Sequence, residues 1–199
     1  MGLFDSLKKI AGDVLKKEAA KAVNKAASNI GKGRNHTESF SFEALPNNLS
    51  ELQALPEATL DTAFKTAALT VAVLCRYEQD PDAVIEMLNF LKGPADVSTY
   101  EKGFIKERLD GKFYKTLAFF EGATPQNGYK PNQPYTIKVI ENPYSFDTEN
   151  WATLWVKSGG ADNPAPIKLR KKPSTGQWFL NEIQILSDIR VPVAEDEWA

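Results

Sequence analysis

Groups able to do covalent or acid–base chemistry are scarce in this chain, which has one cysteine, Cys75, and one histidine, His36. A single cysteine forbids an intrachain disulfide and a multi-cysteine metal site. A lone histidine leaves zinc hydrolysis, histidine-based triads and most general-base schemes poorly supplied. Cys75 falls in an apolar helical run with no histidine near it in sequence, so it reads as a buried structural residue. His36 sits in a polar stretch and reads as a solvated linker residue. The carboxylate pairs Asp80/Asp82 and Glu107/Asp110 occupy positions suited to helix caps and solvated faces. Neither Gly31-Lys32-Gly33 nor Gly159-Gly160 has the spacing of a phosphate-cradling loop. The expectation is a protein that is not an enzyme, with no catalytic residue, no metal set and no cofactor.

Binding chemistry is better supplied. Lys168-Leu-Arg-Lys-Lys172 is the one basic run outside the N-terminus. As a strand it places Lys168, Arg170 and Lys172 on one face, a candidate anion-binding ladder, although lysines also protect sheet edges. Trp151, Trp155, Trp178 and Tyr135 alternate along predicted strands. Core packing accounts for them first, and a pocket on a concave sheet second. Trp198 lies in an acidic tail, 194–199, with no core context.

Charge is unevenly spread. Residues 1–34 hold eight Lys/Arg against three Asp/Glu, whereas the rest holds sixteen against twenty-three. A basic arm on an acidic body points to an anionic partner for the arm, or to the body itself. The acidic body, lacking interleaved basic and aromatic modules, argues against nucleic acid.

On a wheel of about 100° per residue, residues 2–17 segregate cleanly. Leu3, Phe4, Leu7, Ile10, Ala11, Val14 and Leu15 share one arc of about 140°, and polar residues fill the opposite side. Lys8 and Lys17 fall at the borders, where their stems can lie along an apolar boundary. This is the pattern of an interfacial helix. The candidate membrane- or partner-binding residues are Leu3, Phe4, Leu7, Lys8, Ile10, Val14, Leu15 and Lys17. A second, alanine-rich stripe of Ala19, Ala22, Val23, Ala26 and Ile30 suits close protein packing. Gly2 through Ser6 also fits the N-myristoylation pattern.

Four units follow from these shifts in composition: an arm over 1–34, a linker over 35–37, an α+β domain over 38–193 and the acidic tail. Residues 38–45 read as a short strand. Helices are predicted from Leu60 to Tyr77, from Pro81 to a stop at Gly93-Pro94, and from Ser98, with capping-box spacing to Glu101, through Leu109. A fourth apolar segment, Phe113–Phe120, leans helical. A long loop, Gly122–Pro134, precedes a change of period to two. Four strands then read as an antiparallel meander: Tyr135–Ile140, Trp151–Lys157, Ile167–Lys172 and Gln177–Ile183. A helical first half and a stranded second half define the α+β class.

Two resemblances attach to particular residues. Gly2-Leu3-Phe4-Asp5, Lys8-Lys9 and Ala11 resemble the aurein and citropin amphibian skin peptides, which implies action at a membrane. The pattern of Trp151–Lys157, Ile167–Lys172 and Gly176–Leu180 resembles the closing strands of cystatin-like rolls such as the nuclear transport factor fold. Gly122-Ala-Thr-Pro, Pro134-Tyr-Thr-Ile, Ser158-Gly-Gly-Ala-Asp and Pro166-Ile-Lys-Leu-Arg-Lys-Lys are similar to a bacterial family known only as a domain of unknown function, over about residues 113–192. That likeness implies a bacterial source and supplies no activity to carry over.

The combined expectation is a binding or scaffold protein tethered by its N-terminal helix to an anionic membrane surface or a larger assembly. The alternatives are a protein-docking or homo-oligomerisation helix on a small-molecule-binding roll, or an unrecognised enzyme. No apolar run reaches the roughly 18–20 residues of a membrane span. Cytoplasmic residence, peripheral at the membrane, is the matching location.

Overall fold

A computed structural model describes residues 35–198. The arm expected over 1–34, with Leu3, Phe4, Leu7, Lys8, Ile10, Val14, Leu15 and Lys17, lies outside the described residues. Strand β1, His36–Phe42, is followed by five helices: α1 Leu49–Ala54, α2 Ala63–Leu74, α3 Pro81–Lys92, α4 Thr99–Leu109 and α5 Tyr114–Leu117. Strands β2 Tyr135–Glu141, β3 Trp151–Val156, β4 Ala165–Lys171 and β5 Trp178–Ile183 complete the α+β arrangement. Among the described residues no helix is long and apolar enough to cross a membrane.

The helices begin and end where local chemistry dictates. The Asp80 side chain accepts from the Ala83 N–H at 2.9 Å, Pro81 fills the first turn, and Gly93 stops α3 at φ 67°. The Ser98 hydroxyl accepts from the Glu101 N–H while the Glu101 carboxylate accepts from the Ser98 N–H, closing the capping box of α4. Helix α1 is capped by Asn48 and buries only Leu52. A 3₁₀ turn, Pro56–Thr59, links it to α2.

Helix α2 is the centre of the core. Every residue in it except Lys65 is buried, and it touches all five strands as well as α3. Full burial of a side chain such as Leu69 contributes about 1.5–3 kcal/mol. The strands answer with their inward set, Ile137 and Val139, Ala152, Leu154 and Val156, Ile167 and Leu169, and Leu180, all buried.

The sheet has five strands rather than four. All are antiparallel and in chain order, and β1 joins as the edge strand, with His36 opposite Glu141 and Phe42 opposite Tyr135. Residues 36 and 37, expected as linker, are therefore strand residues. The close approach of the β3–β4 loop to the 122–134 loop explains Gly159-Gly160. A Cβ on Gly159 would overlap the Ala123 carbonyl, and one on Gly160 would meet the Tyr129 hydroxyl.

Candidate functional site

The sheet, the start of α2 and the β2–β3 loop enclose a cleft of about 610 Å³. That volume lies in the ordinary range of small-molecule sites. Its aromatic wall is assembled from three distant segments. Phe64 is the second residue of α2, where Thr62 caps the helix by accepting from the Lys65 N–H at 3.2 Å. Phe146 is presented by the β2–β3 loop, which is tied down at two points. The Ser145 hydroxyl accepts from the Asn142 N–H at 2.9 Å, and the Thr153 N–H donates to the Ser145 carbonyl at 2.9 Å. Trp178 opens β5, and its backbone is held by the Leu60 carbonyl at 2.8 Å and the Thr66 hydroxyl at 2.7 Å.

These rings form a continuous series. His36 lies edge-on to Phe64 at 5.4 Å, Phe64 is 6.5 Å from Phe146, and Phe146 is edge-on to Trp178 at 5.7 Å. At the far end the Lys171 ammonium lies over the Trp178 ring, 5.8 Å from its centroid.

The charged lining is one-sided: Glu38, Asp61, Glu141, Asp147 and Glu149 against Lys171. Asp61 is neutralised by Lys65 at 2.9 Å, and that hydrogen bond holds its carboxyl below the usual range. Glu38 meets the His36 ring at 3.4 Å. Glu141 differs from the others. It is 1% exposed, and neither carboxylate oxygen has a hydrogen-bond partner among the described residues. Burial pushes its carboxyl up, His36 pulls it down, and Glu38 raises it further.

The residues singled out from sequence are distributed as follows. Trp151 and Trp178 meet at this cleft, while Trp155 faces out from β3 between Ile140 and Pro166, and Tyr135 packs edge-on to Phe120. Lys168 is paired with Glu182 at 2.8 Å, and Arg170 lies over the Trp151 ring at 5.1 Å. Lys172 lies beyond the end of β4, and with Arg170, Lys171 and Lys92 it borders a smaller groove beside Phe179. Cys75 is half-buried and donates to the Val71 carbonyl, and desolvation pushes its thiol up to about 12. Asp80 is a helix cap. No three His, Cys, Asp or Glu side chains among the described residues converge as a metal set.

Glu141 was not singled out by the sequence reading. The signal was its parity, because Ile137, Val139 and Glu141 share one side of β2 and the first two are core residues.

No curated protein and no solved structure gives a significant match to the chain. The family model described as a domain of unknown function, DUF6935, matches residues 44–193. That span takes in the helices, four of the five strands and most of the cleft lining, and the chain belongs to the DUF6935 family.

Proposed function

We propose that the protein is a non-catalytic binding protein whose N-terminal helix holds the α+β body at an anionic membrane surface. The observation that carries the tether is the segregation of residues 2–17 into an apolar arc bordered by Lys8 and Lys17. The body supports a binding role through its cleft, whose lining includes Glu38 of β1. His36, one residue into the described chain, already packs on the cleft residue Phe64. The location that follows is peripheral to a membrane.

The test is co-sedimentation of the full chain with anionic vesicles, beside a Leu7→Glu/Ile10→Glu variant. Each of those side chains is worth up to about 1.5–3 kcal/mol when fully buried, so the variant should stay in the supernatant. Equal pelleting of the two proteins rules the tether out. A loss of mass in light scattering without lipid would assign the arm to self-assembly, the reading favoured by its alanine stripe at Ala19, Ala22 and Ala26.

A further inference from the structure

We propose that the cleft binds a linear polyamine, with one ammonium nitrogen on Glu141 and its methylene chain against Phe64, Phe146 and Trp178. The inference rests on the reading of this cleft as the body's binding surface and adds the chemical class of its occupant.

Four observations converge on that class. The first is Glu141 itself, which is 1% exposed, lines the cleft and lacks a partner for either oxygen among the described residues. A buried carboxylate without a partner is costly, and the complement it lacks is a positively charged N–H donor. A primary or secondary ammonium supplies both charge and donors, whereas a quaternary ammonium supplies charge alone.

Net charge is the second. With Asp61 matched by Lys65 and one further carboxylate offset by Lys171, the lining still holds an excess of negative groups, Asp147 and Glu149 among them. One positive nitrogen would leave that excess standing, and two or more spaced along a chain would match it.

The third is the wall. Ring faces attract cations, and their edges and faces also accept methylene groups. Lys171, an ammonium on a four-carbon stem, already lies over Trp178 at 5.8 Å and shows the interaction within the protein. The fourth separates organic from inorganic cations. A hard metal ion needs several oxygen ligands around one point, and no such set exists among the described residues.

Isothermal titration of the full chain with spermidine at neutral pH and low salt tests the assignment. Tetramethylammonium and magnesium chloride serve as controls without N–H donors. The expected result is saturable spermidine binding that Glu141→Gln weakens about tenfold or more, the cost of removing a charged hydrogen-bond partner. A second variant, Asp147→Asn/Glu149→Gln, changes exposed residues only, and it should weaken binding and flatten its salt dependence. Unchanged affinity in both variants places the amine elsewhere and overturns the proposal, as does equal binding of magnesium.

Lys32 and Arg34 are the last two cations before β1 in the sequence, and a variant lacking both controls for competition by the chain's own N-terminal charge. Binding unmasked by Lys32→Ser/Arg34→Ser upholds the site with the arm as competitor, and silence in that variant too overturns it. Vesicle pelleting of the same samples is read independently. Pelleting retained without any amine binding removes the ligand class and leaves the tether standing.

Discussion

Replacing Glu141 by methionine should stabilise the protein at neutral pH, by an amount that grows as the pH rises through the carboxyl range. The side chain is enclosed at the end of β2, and both oxygens lack partners among the described residues. Burial raises its carboxyl above the ordinary 4.5, with His36 opposing and Glu38 reinforcing. The folded state therefore keeps this proton at pH values where the unfolded chain has released it. Stability falls with rising pH across that window, and the full cost persists above it. Below the ordinary carboxyl range both states are protonated, and the charge contributes nothing.

Methionine has a similar length, no charge and no acceptor of comparable strength. A buried acceptor left without a partner costs about 1–3 kcal/mol, and more when it is charged. For a domain of this size each kcal/mol moves Tm by about 2–4 °C. Thermal unfolding of both proteins from pH 4 to pH 8 should show the variant several degrees higher at pH 7.5 and the gap closing towards pH 4. A variant that is equally or less stable at neutral pH, with a gap independent of pH, would mean that the carboxylate is well partnered, and the reasoning would fail.

Two further outcomes follow from the packing. Gly159→Ala sets a methyl group against the backbone carbonyl of Ala123, and should cost about 2–4 kcal/mol in urea unfolding. Gly103→Ala in α4 has nothing within 4 Å of the new methyl group and should be neutral or stabilising by up to about 1 kcal/mol. Cys75, with its thiol pushed up to about 12, should react slowly with a disulfide reagent at pH 8 in the native protein and quickly once it is unfolded. Rapid native labelling would show an exposed thiolate instead.

The parts of this fold legible in the sequence are those fixed by neighbours in the chain. Asp80-Pro81 and Gly93 bound α3 as predicted, and Ser98 with Glu101 opens α4, because a cap is a contact across three residues. The four later strands follow from alternation. Helix α1 escaped notice because six residues with one buried side chain carry almost no periodicity. A strand was legible over 38–45, a few residues late against the observed 36–42, but its partner was not, since β1 pairs with a strand that begins some ninety residues later and no local pattern records the pairing. The cleft is harder still. Its lining comes from all five strands, the α2 start and the β2–β3 loop, so the spacing of its residues along the chain is set by topology and not by chemistry.

Buried polar groups elsewhere in the body show why Glu141 stands apart. Lys92, at 7% exposure, donates to Glu101 at 2.7 Å and to the Asn181 carbonyl at 3.4 Å. Lys115 reaches the Leu186 carbonyl, Thr70 bonds to the Thr66 carbonyl, and Tyr129 bonds to the Arg190 carbonyl. Among the described residues the remaining orphaned atoms are single donors or a hydroxyl: Arg76 Nε, Arg108 Nε and Ser158 Oγ. Each guanidinium has other nitrogens to share its charge, and that of Arg108 lies on the Phe104 ring at 5.3 Å. A fold that satisfies its buried lysines this thoroughly did not lack the means to pair one glutamate. The unpaired carboxylate is the group that the proposed amine would satisfy, and the aromatic wall beside it suits the methylene chain of that cation.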